Sequence, residues 1–570
     1  MNRQYIGARY VPKIFDNNGS NEWVNGITYE PLTIVTYLNN SYTSKKPVPS
    51  TAGAPNIATE YWANTGNYVG VVSELTEKVS DLEDNVKTIA VTPEMYGAKG
   101  DGTTDDTVAI QNALNSGYNV RFSSKTYKIN LAYDPYFLYD IGLLVPSNID
   151  IDLNGATIKM GESNNGMYAI FMLDESENVS IRNGIIIGDR LIHHGAIDES
   201  GMGIYTRNTE NVTFENLIIK DCWGDGLYIG YDIENKIDKH IRVNNVTIDN
   251  ARRNACSLIN VEDIVFTNCA FKNTNGGSLQ SGVDCETNYT YQKVKNVTFD
   301  NCLFSNEASG LMLNRLGTDC GIISITNCIF DSVYTALYFD NSVSNSTSGN
   351  VFLDGINITG KVGTPFFIAN KLKTAYKIYG NNITVVANSR YTVSDSNYDG
   401  FIVNRDSTSI GDNVIGDITL KNVTLDYSAT TPNEWLITQN MLDKTVEIDL
   451  DIVKAINAPT KYVSINADSK YNIKCDKDMY VEIASNLNMN LIGNAIYNNI
   501  KITGNTGAIS IWIGNTYGDN GKHVIFNNSS YTCSVYYTGV GGDAELHLDS
   551  GKYVEVEYVK AFNCYYLHEI

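Results

Sequence analysis

The residues predict an all-β chain built on a right-handed parallel β-helix, and three observations carry the prediction. Six segments between about residues 177 and 340 repeat one pattern: ENVSIRNGIII, ENVTFENLIIKDC, KHIRVNNVTIDN, VEDIVFTNCAFKN, VKNVTFDNCLFSN and GIISITNCIFDS. Each alternates apolar residues with period two around an Asn, at Asn183, Asn216, Asn245, Asn268, Asn301 and Asn327, in steps of 23 to 33 residues. That alternation is a strand signal, and the step falls in the range of stacked-repeat folds. A third short strand follows each pair, at 203–207, 226–230, 255–259, 282–286, 310–314 and 336–340. Three strands per turn, stacked on themselves, make the β-helix.

The Asn has two physical reasons to recur. Its amide can hydrogen-bond to its own copy in the turns above and below. It also tolerates the left-handed backbone that a corner between two strands requires.

Taken in order, residues 1–70 read as a small N-terminal β module, with Trp23, Tyr29, Val35, Tyr37, Tyr42, Pro55, Tyr61 and Trp62 between turn signals. The order resembles a chitin-binding-type carbohydrate module, which implies aromatic faces for stacking on sugar. The other reading makes these rings the core of a domain that attaches the protein to something, and attachment is preferred. Residues 71–90 follow as a coiled-coil helix, with Val72, Leu75, Val79, Leu82, Val86 and Ile89 on an a/d seam that predicts self-association. Next, Thr104 is expected to N-cap a helix with Asp105 and Asp106 in its first turn and Val108, Ile110 and Leu114 on its apolar side. Such a helix would cover the open end of the β-helix. Gly97, Gly100 and Gly102 fit no nucleotide-binding spacing.

MYGAKGDGTTDDTVAIQNAL followed by Asn-bearing coils is similar to the pectate-lyase-like superfamily, especially bacteriophage tailspikes and pre-neck appendages. The block IGARYVPKIFDNNG…YEPLTIVTYLNNSYTSKKPVP also resembles the leader of tail proteins from phages of Gram-positive bacteria. The resemblance covers about residues 1–345. It implies a homotrimer held by its N-terminal domain to a phage tail or collar protein, made in the host cytoplasm and acting from the virion at the bacterial surface.

Past 345 the coils loosen but continue, with Asn382 and Asn422 in ladder places and Gly355 substituting, so the β-helix is assigned to 91–465. Residues 466–570 read as a separate C-terminal β-sandwich or prism for trimerisation or receptor contact.

The composition narrows the partners. A net charge of −22 disfavours nucleic acid and anionic lipid, and no apolar run is long enough for membrane insertion. MNRQYIGARY lacks the apolar core of a secretory signal. Cys269, Cys302 and Cys328 share one inward repeat position, which predicts buried free thiols rather than disulfides or zinc ligands. His193 and His194 point apart as neighbours in a chain do, so no metal and no cofactor is assigned.

Chemistry is expected on an outer face, because the inward positions are filled. In SGVDCETN, Asp284 and Glu286 share the outer face while Val283 and Cys285 face in. An i, i+2 pair of carboxyls suits a general acid with a base or nucleophile across a glycosidic bond, and like charges so close raise one pKa. Asp225 is the alternate acid. Neighbouring coils bring Arg252, Arg253, Asn314 and Arg315 as a substrate-binding set for an anionic group, Trp223 to stack on sugar, and Tyr228. These coils resemble the equivalent ones of β-helix polysaccharide hydrolases, lyases and uronate epimerases. Alternatively, the arginines merely neutralise the acids in a surface ladder.

The reading is a spike that recognises and depolymerises a host cell-surface polysaccharide, capsule or wall teichoic acid, with hydrolysis preferred. A lyase and a non-catalytic receptor-binding spike are the alternatives.

Overall fold

The structure, a computed structural model, describes residues 13–66 without 18–19 and 39, residue 78, and 90–459 apart from 135, 137–138, 196–199, 231–235, 278, 341–346, 370–372, 374, 393–398, 406–413, 434 and 440–444. From 461 onward it describes backbone strands alone. The chain divides into two compact units, Met1–Ala90 and Val91–Ile570. The predicted coiled-coil seam lies outside the described residues.

In the first unit, strands Lys13–Ile14, Thr33–Tyr37, Asn40–Ser44 and Trp62–Gly66 form one sheet. Tyr29, Tyr42 and Trp62 are buried with Val35 and Val48, and Trp23, Tyr37 and Tyr61 pack against them. The rings are therefore largely core. Tyr29 packs edge-on against Trp62 at 5.1 Å, and few ring faces are left for sugar.

The second unit is a β-solenoid of about 11 turns. Its apolar columns run in register from turn to turn. Val179, Val212, Ile241, Ile264, Val297 and Ile323 make one; Ile204, Leu227, Cys256, Val283, Leu311 and Leu337 make another. All are essentially inaccessible. Burying each such side chain stabilises by roughly 1.5–3 kcal/mol, with smaller gains for Cys. Phe266 stacks on Phe299 at 4.9 Å and Phe304 on Phe330 at 4.7 Å, so aromatic rings follow the same repeat.

The six predicted ladder Asn residues have φ between 52° and 62°. Asn216 Nδ2 donates to Asn183 Oδ1 at 3.0 Å, Asn245 to Asn216 at 2.8 Å and Asn301 to Asn268 at 2.7 Å. The ladder breaks twice, where Asn268 reaches sideways to Asn244 at 3.5 Å and Asn327 to Asp300 Oδ1 at 3.0 Å. Two further ladders exist that the repeat did not announce. One runs through Asn178, Asn211, His240, Asp263 and Asn296, the other through Asp221, Asn250, Asn273 and Asn306, all at positive φ. Asn382, Asn422 and Gly355 also take positive φ, as their ladder places require.

The capping helix starts later than expected. It spans Thr107–Leu114 with Asp106 as N-cap, and residues Asp101–Asp105 are a strand. The cause is local: the Asp101 carboxylate accepts from the N–H of Thr103 and Thr104 at 2.8 and 2.7 Å and fixes them in a turn ahead of the helix. Asp106 is buried and receives the Lys99 and Gly100 amides. Ile110, Ala113 and Leu114 enter the core as predicted for a cap, whereas Val108 is 72% exposed.

Cys269, Cys302 and Cys328 are buried free thiols whose Sγ atoms donate to backbone carbonyls, such as Cys328 to Thr326 at 3.3 Å. Parallel pairing continues past residue 465: Val481 pairs with Ile500 and Ile500 with Ile525. Beyond 465, antiparallel pairing joins Cys533–Gly539 to Gly542–Leu548 and Tyr553–Val559 to Lys522–Asn527. Strand Lys470–Cys475 is the last in chain order of the long sheet, and Asn488–Leu491 belongs to a separate four-stranded sheet.

Candidate active site

The third strands of successive turns set Met172, Tyr205, Tyr228, Ser257, Asp284 and Met312 in one register column on the outer face. A cleft of about 630 Å³ opens over this face, with Tyr139, Tyr205, Tyr228, Arg253, Glu286 and Asn288 among its walls.

Asp284 belongs to strand Ser281–Cys285, and Val283 and Cys285 point inward as alternation demands. Although on the outer side, Asp284 is only 1% exposed, and neither carboxyl oxygen has a hydrogen-bond partner among the described residues. Burial first, then the negative charge of Glu286, push its pKa well above the ordinary carboxylate range, with Arg253 pulling the other way. Glu286 differs: its side chain is 17% exposed, lines the cleft and meets Arg315 Nη1 at 3.3 Å. The two acids have separate surroundings, and only Glu286 reaches the cleft wall.

Asp225 is fully buried and fully engaged. Ser257 Oγ donates to it at 2.6 Å, the Asn254 amide at 3.1 Å, and Arg253 Nη1 lies 3.1 Å away. Asp225, expected as the alternate acid, is thus placed beneath the cleft lining and against Arg253. Asn254 Oδ1 accepts from Ser281 Oγ at 2.8 Å, tying this network to the strand of Asp284. Neither Asn254 nor Ser257 was singled out from sequence. The signal available was Ser257 standing at the outward position between Tyr228 and Asp284.

Three expected substrate contacts are corrected. Trp223 is not an open platform: His193 stacks on its ring at 3.9 Å and the Arg252 guanidinium lies 4.3 Å above it. Arg252 also donates from Nε to the Trp223 carbonyl at 2.6 Å, which turns it away from the cleft. Asn314 is 9% exposed at the end of strand Ser309–Asn314, paired in register with Asp340, and does not line the cleft. Arg253, Tyr228 and Arg315 do converge on the acids. Tyr228 packs edge-on against Tyr205 at 5.0 Å, and burial pushes its hydroxyl well above its usual range. His193 and His194 serve different partners, Asp189 at 2.8 Å and Glu162 at 3.0 Å.

A second hollow of about 630 Å³ lies further along, over Phe352, Tyr379, Thr419 and Asp449. It has no buried acid pair.

Residues 147–281 match the family described as right handed beta helix region. The chain is 30% identical over 162 residues to an SPbeta prophage-derived uncharacterized protein of Bacillus subtilis (strain 168), covering 25% of this chain and 28% of that protein. It is 28% identical over 185 residues to the pre-neck appendage protein of Bacillus phage phi29, covering 30% of this chain and 19% of that protein. It is 28% identical over 228 residues to a capsule K30/K69-specific depolymerase of Klebsiella phage K64-1, covering 34% and 26%. The chain thus spans less than a third of the length of each of these relatives.

Proposed function

We propose that this chain is the glycan-engaging part of a phage tail appendage, and that its outer cleft hydrolyses a bacterial surface polysaccharide. The observation that carries the reading is the unlike pair of acids: Asp284 sealed, its pKa raised by burial, and Glu286 in the cleft and paired with Arg315. Similarity to a phage pre-neck appendage protein and to a phage capsule depolymerase supports the virion setting and the substrate class. In this reading the N-terminal unit attaches to the tail, and the chain assembles as a homotrimer through the 71–90 segment and the C-terminal strands.

The chemistry follows from the two surroundings. Glu286 takes a proton from water as the oxygen adds to the anomeric carbon. Asp284 gives its proton to the departing glycosidic oxygen, so one C–O bond breaks, one forms and one water is consumed. For that transfer the seated glycan has to displace the side chains that cover Asp284. Arg315 lies 3.3 Å from Glu286, and Arg253, anchored by Asp225, lines the same cleft.

The test is digestion of purified host capsule and wall teichoic acid, separately, with product sizing. Fragments of fixed repeat length, abolished by Glu286→Gln with binding retained, support hydrolysis. Unsaturated products absorbing in the ultraviolet would make the chain a lyase. Binding without fragments would make it an adsorption spike.

A further inference from the structure

We infer that the cleft takes a neutral sugar bearing an apolar substituent, an acyl group or a deoxy carbon, and turns away uronates and phosphates. This rests on the reading of the cleft as a glycan site, and it reverses the expectation of an anionic substrate.

The first observation is charge. Each arginine at the cleft is already matched by a carboxylate of the chain: Arg253 by Asp225 at 3.1 Å, Arg315 by Glu286 at 3.3 Å, and Arg207 by Asp174. The described wall therefore offers no surplus cation. An anionic substituent would have to pull an arginine from its partner and would then face the carboxylate left behind. Exchanging one buried pair for another gains little, while stranding a buried charge is costly.

The second observation is independent of charge. Ile141, Ala169, Met172, Met202 and Tyr205 form an apolar cluster of their own, separate from the interior of the solenoid, and Tyr139 and Tyr228 pack against it. It lies on the outer side of the sheet, where Met172, Met202 and Tyr205 all contribute to the cleft. Met167, 43% exposed, stands at the same end. Thioethers and tyrosine rings form an adaptable apolar seat with few polar atoms to satisfy. A methyl from an acetyl group or a 6-deoxy sugar gains by entering it, and a carboxylate or phosphate loses its hydration there. The acid pair and the apolar cluster thus define two ends of one cleft.

Saturation-transfer NMR on the full chain carrying Asp284→Asn, which leaves the Glu286–Arg315 pair in place, tests the inference without turnover. The probes are methyl glycosides of N-acetylglucosamine, rhamnose, glucose and glucuronic acid. Saturation is expected mainly at the acetyl or C6 methyl protons of the first two, with the glucuronide at least tenfold weaker. Met167→Ser, at an exposed position, should cut the methyl signal at least threefold. Equal or stronger transfer to the glucuronide overturns the inference. So does the absence of transfer to either methyl-bearing probe, or methyl transfer indifferent to Met167→Ser. Because this readout needs no cleavage, it can stand while hydrolysis fails, and it can fail while hydrolysis of a uronate polymer stands.

Discussion

Asp284 and Glu286 leave one strand two residues apart, yet Asp284 is 1% exposed without a hydrogen-bond partner among the described residues while Glu286 lines the cleft and meets Arg315 at 3.3 Å. The difference makes a specific prediction. Asp284→Asn replaces a buried carboxyl, whose pKa burial raises, with a neutral amide of the same shape, so the fold should survive with a melting temperature close to the parent's. Glycan cleavage should fall by roughly 10²–10⁴-fold, the usual worth of a positioned acid. Parallel melting and product-release assays check this. A variant that melts normally and cleaves normally would remove Asp284 from the chemistry.

Glu307 gives a pH prediction away from the cleft. It is 3% exposed, and burial raises its pKa from the ordinary 4.5 to about 9, with the negative charge of Asp249 adding to the shift and the Thr274 amide opposing it. A carboxyl with a raised folded pKa binds its proton more tightly in the folded chain. Its stabilising contribution is therefore complete below about pH 4.5 and is lost as pH rises toward 9. Glu307→Gln removes that loss. The variant should gain on the parent as pH rises from 5 to 8.5, by on the order of a few kcal/mol at the upper end, since tenfold in proton affinity is worth about 1.4 kcal/mol. Melting temperatures across that range decide it, and a constant difference between the two proteins would refute the assignment.

The repeat was legible because apolar alternation, the corner Asn and the third strand recur with the same side chains. The two other corner ladders were not, because His240, Asp263, Asp221 and Ser332 share a backbone angle rather than a residue type. The acid pair could be read from strand alternation, since Val283 and Cys285 had to face in. Its asymmetry could not, because alternation along one strand does not report how other segments pack over each position. Trp223 misled for the same reason: His193, which stacks on it, lies on a loop thirty residues earlier.

The pair Arg253–Asp225 supports a prediction on stability. Asp225 has no exposure to solvent, so Arg253→Ala leaves a buried carboxyl group without its guanidinium partner. Losing one partner of a buried pair typically costs about 3–5 kcal/mol. Arg253→Met with Asp225→Asn should recover much of that loss, because no charge is then stranded. Denaturant midpoints of the single and double variants measure the coupling. Additive effects would mean that the pair does not act as a unit.

The corner ladder can be separated into its two contributions at Asn301. Its φ is 53°, and its Nδ2 donates to Asn268 Oδ1 at 2.7 Å. Asn301→Gly removes the amide bond while leaving the left-handed backbone accessible, and should cost about 1–2 kcal/mol. Asn301→Ala removes the bond and also places Cβ in a conformation that disfavours L-residues by about 1–2 kcal/mol. Alanine should therefore be the more damaging change, the reverse of the order in an ordinary strand interior, where glycine is worse. As a control, Asn357→Ala falls within strand Ser348–Val362 at a position without positive φ and should cost less than either. Urea midpoints for the three variants give the order directly. If alanine proved milder than glycine at 301, the corner would owe its Asn to the amide ladder alone and not to its backbone angle.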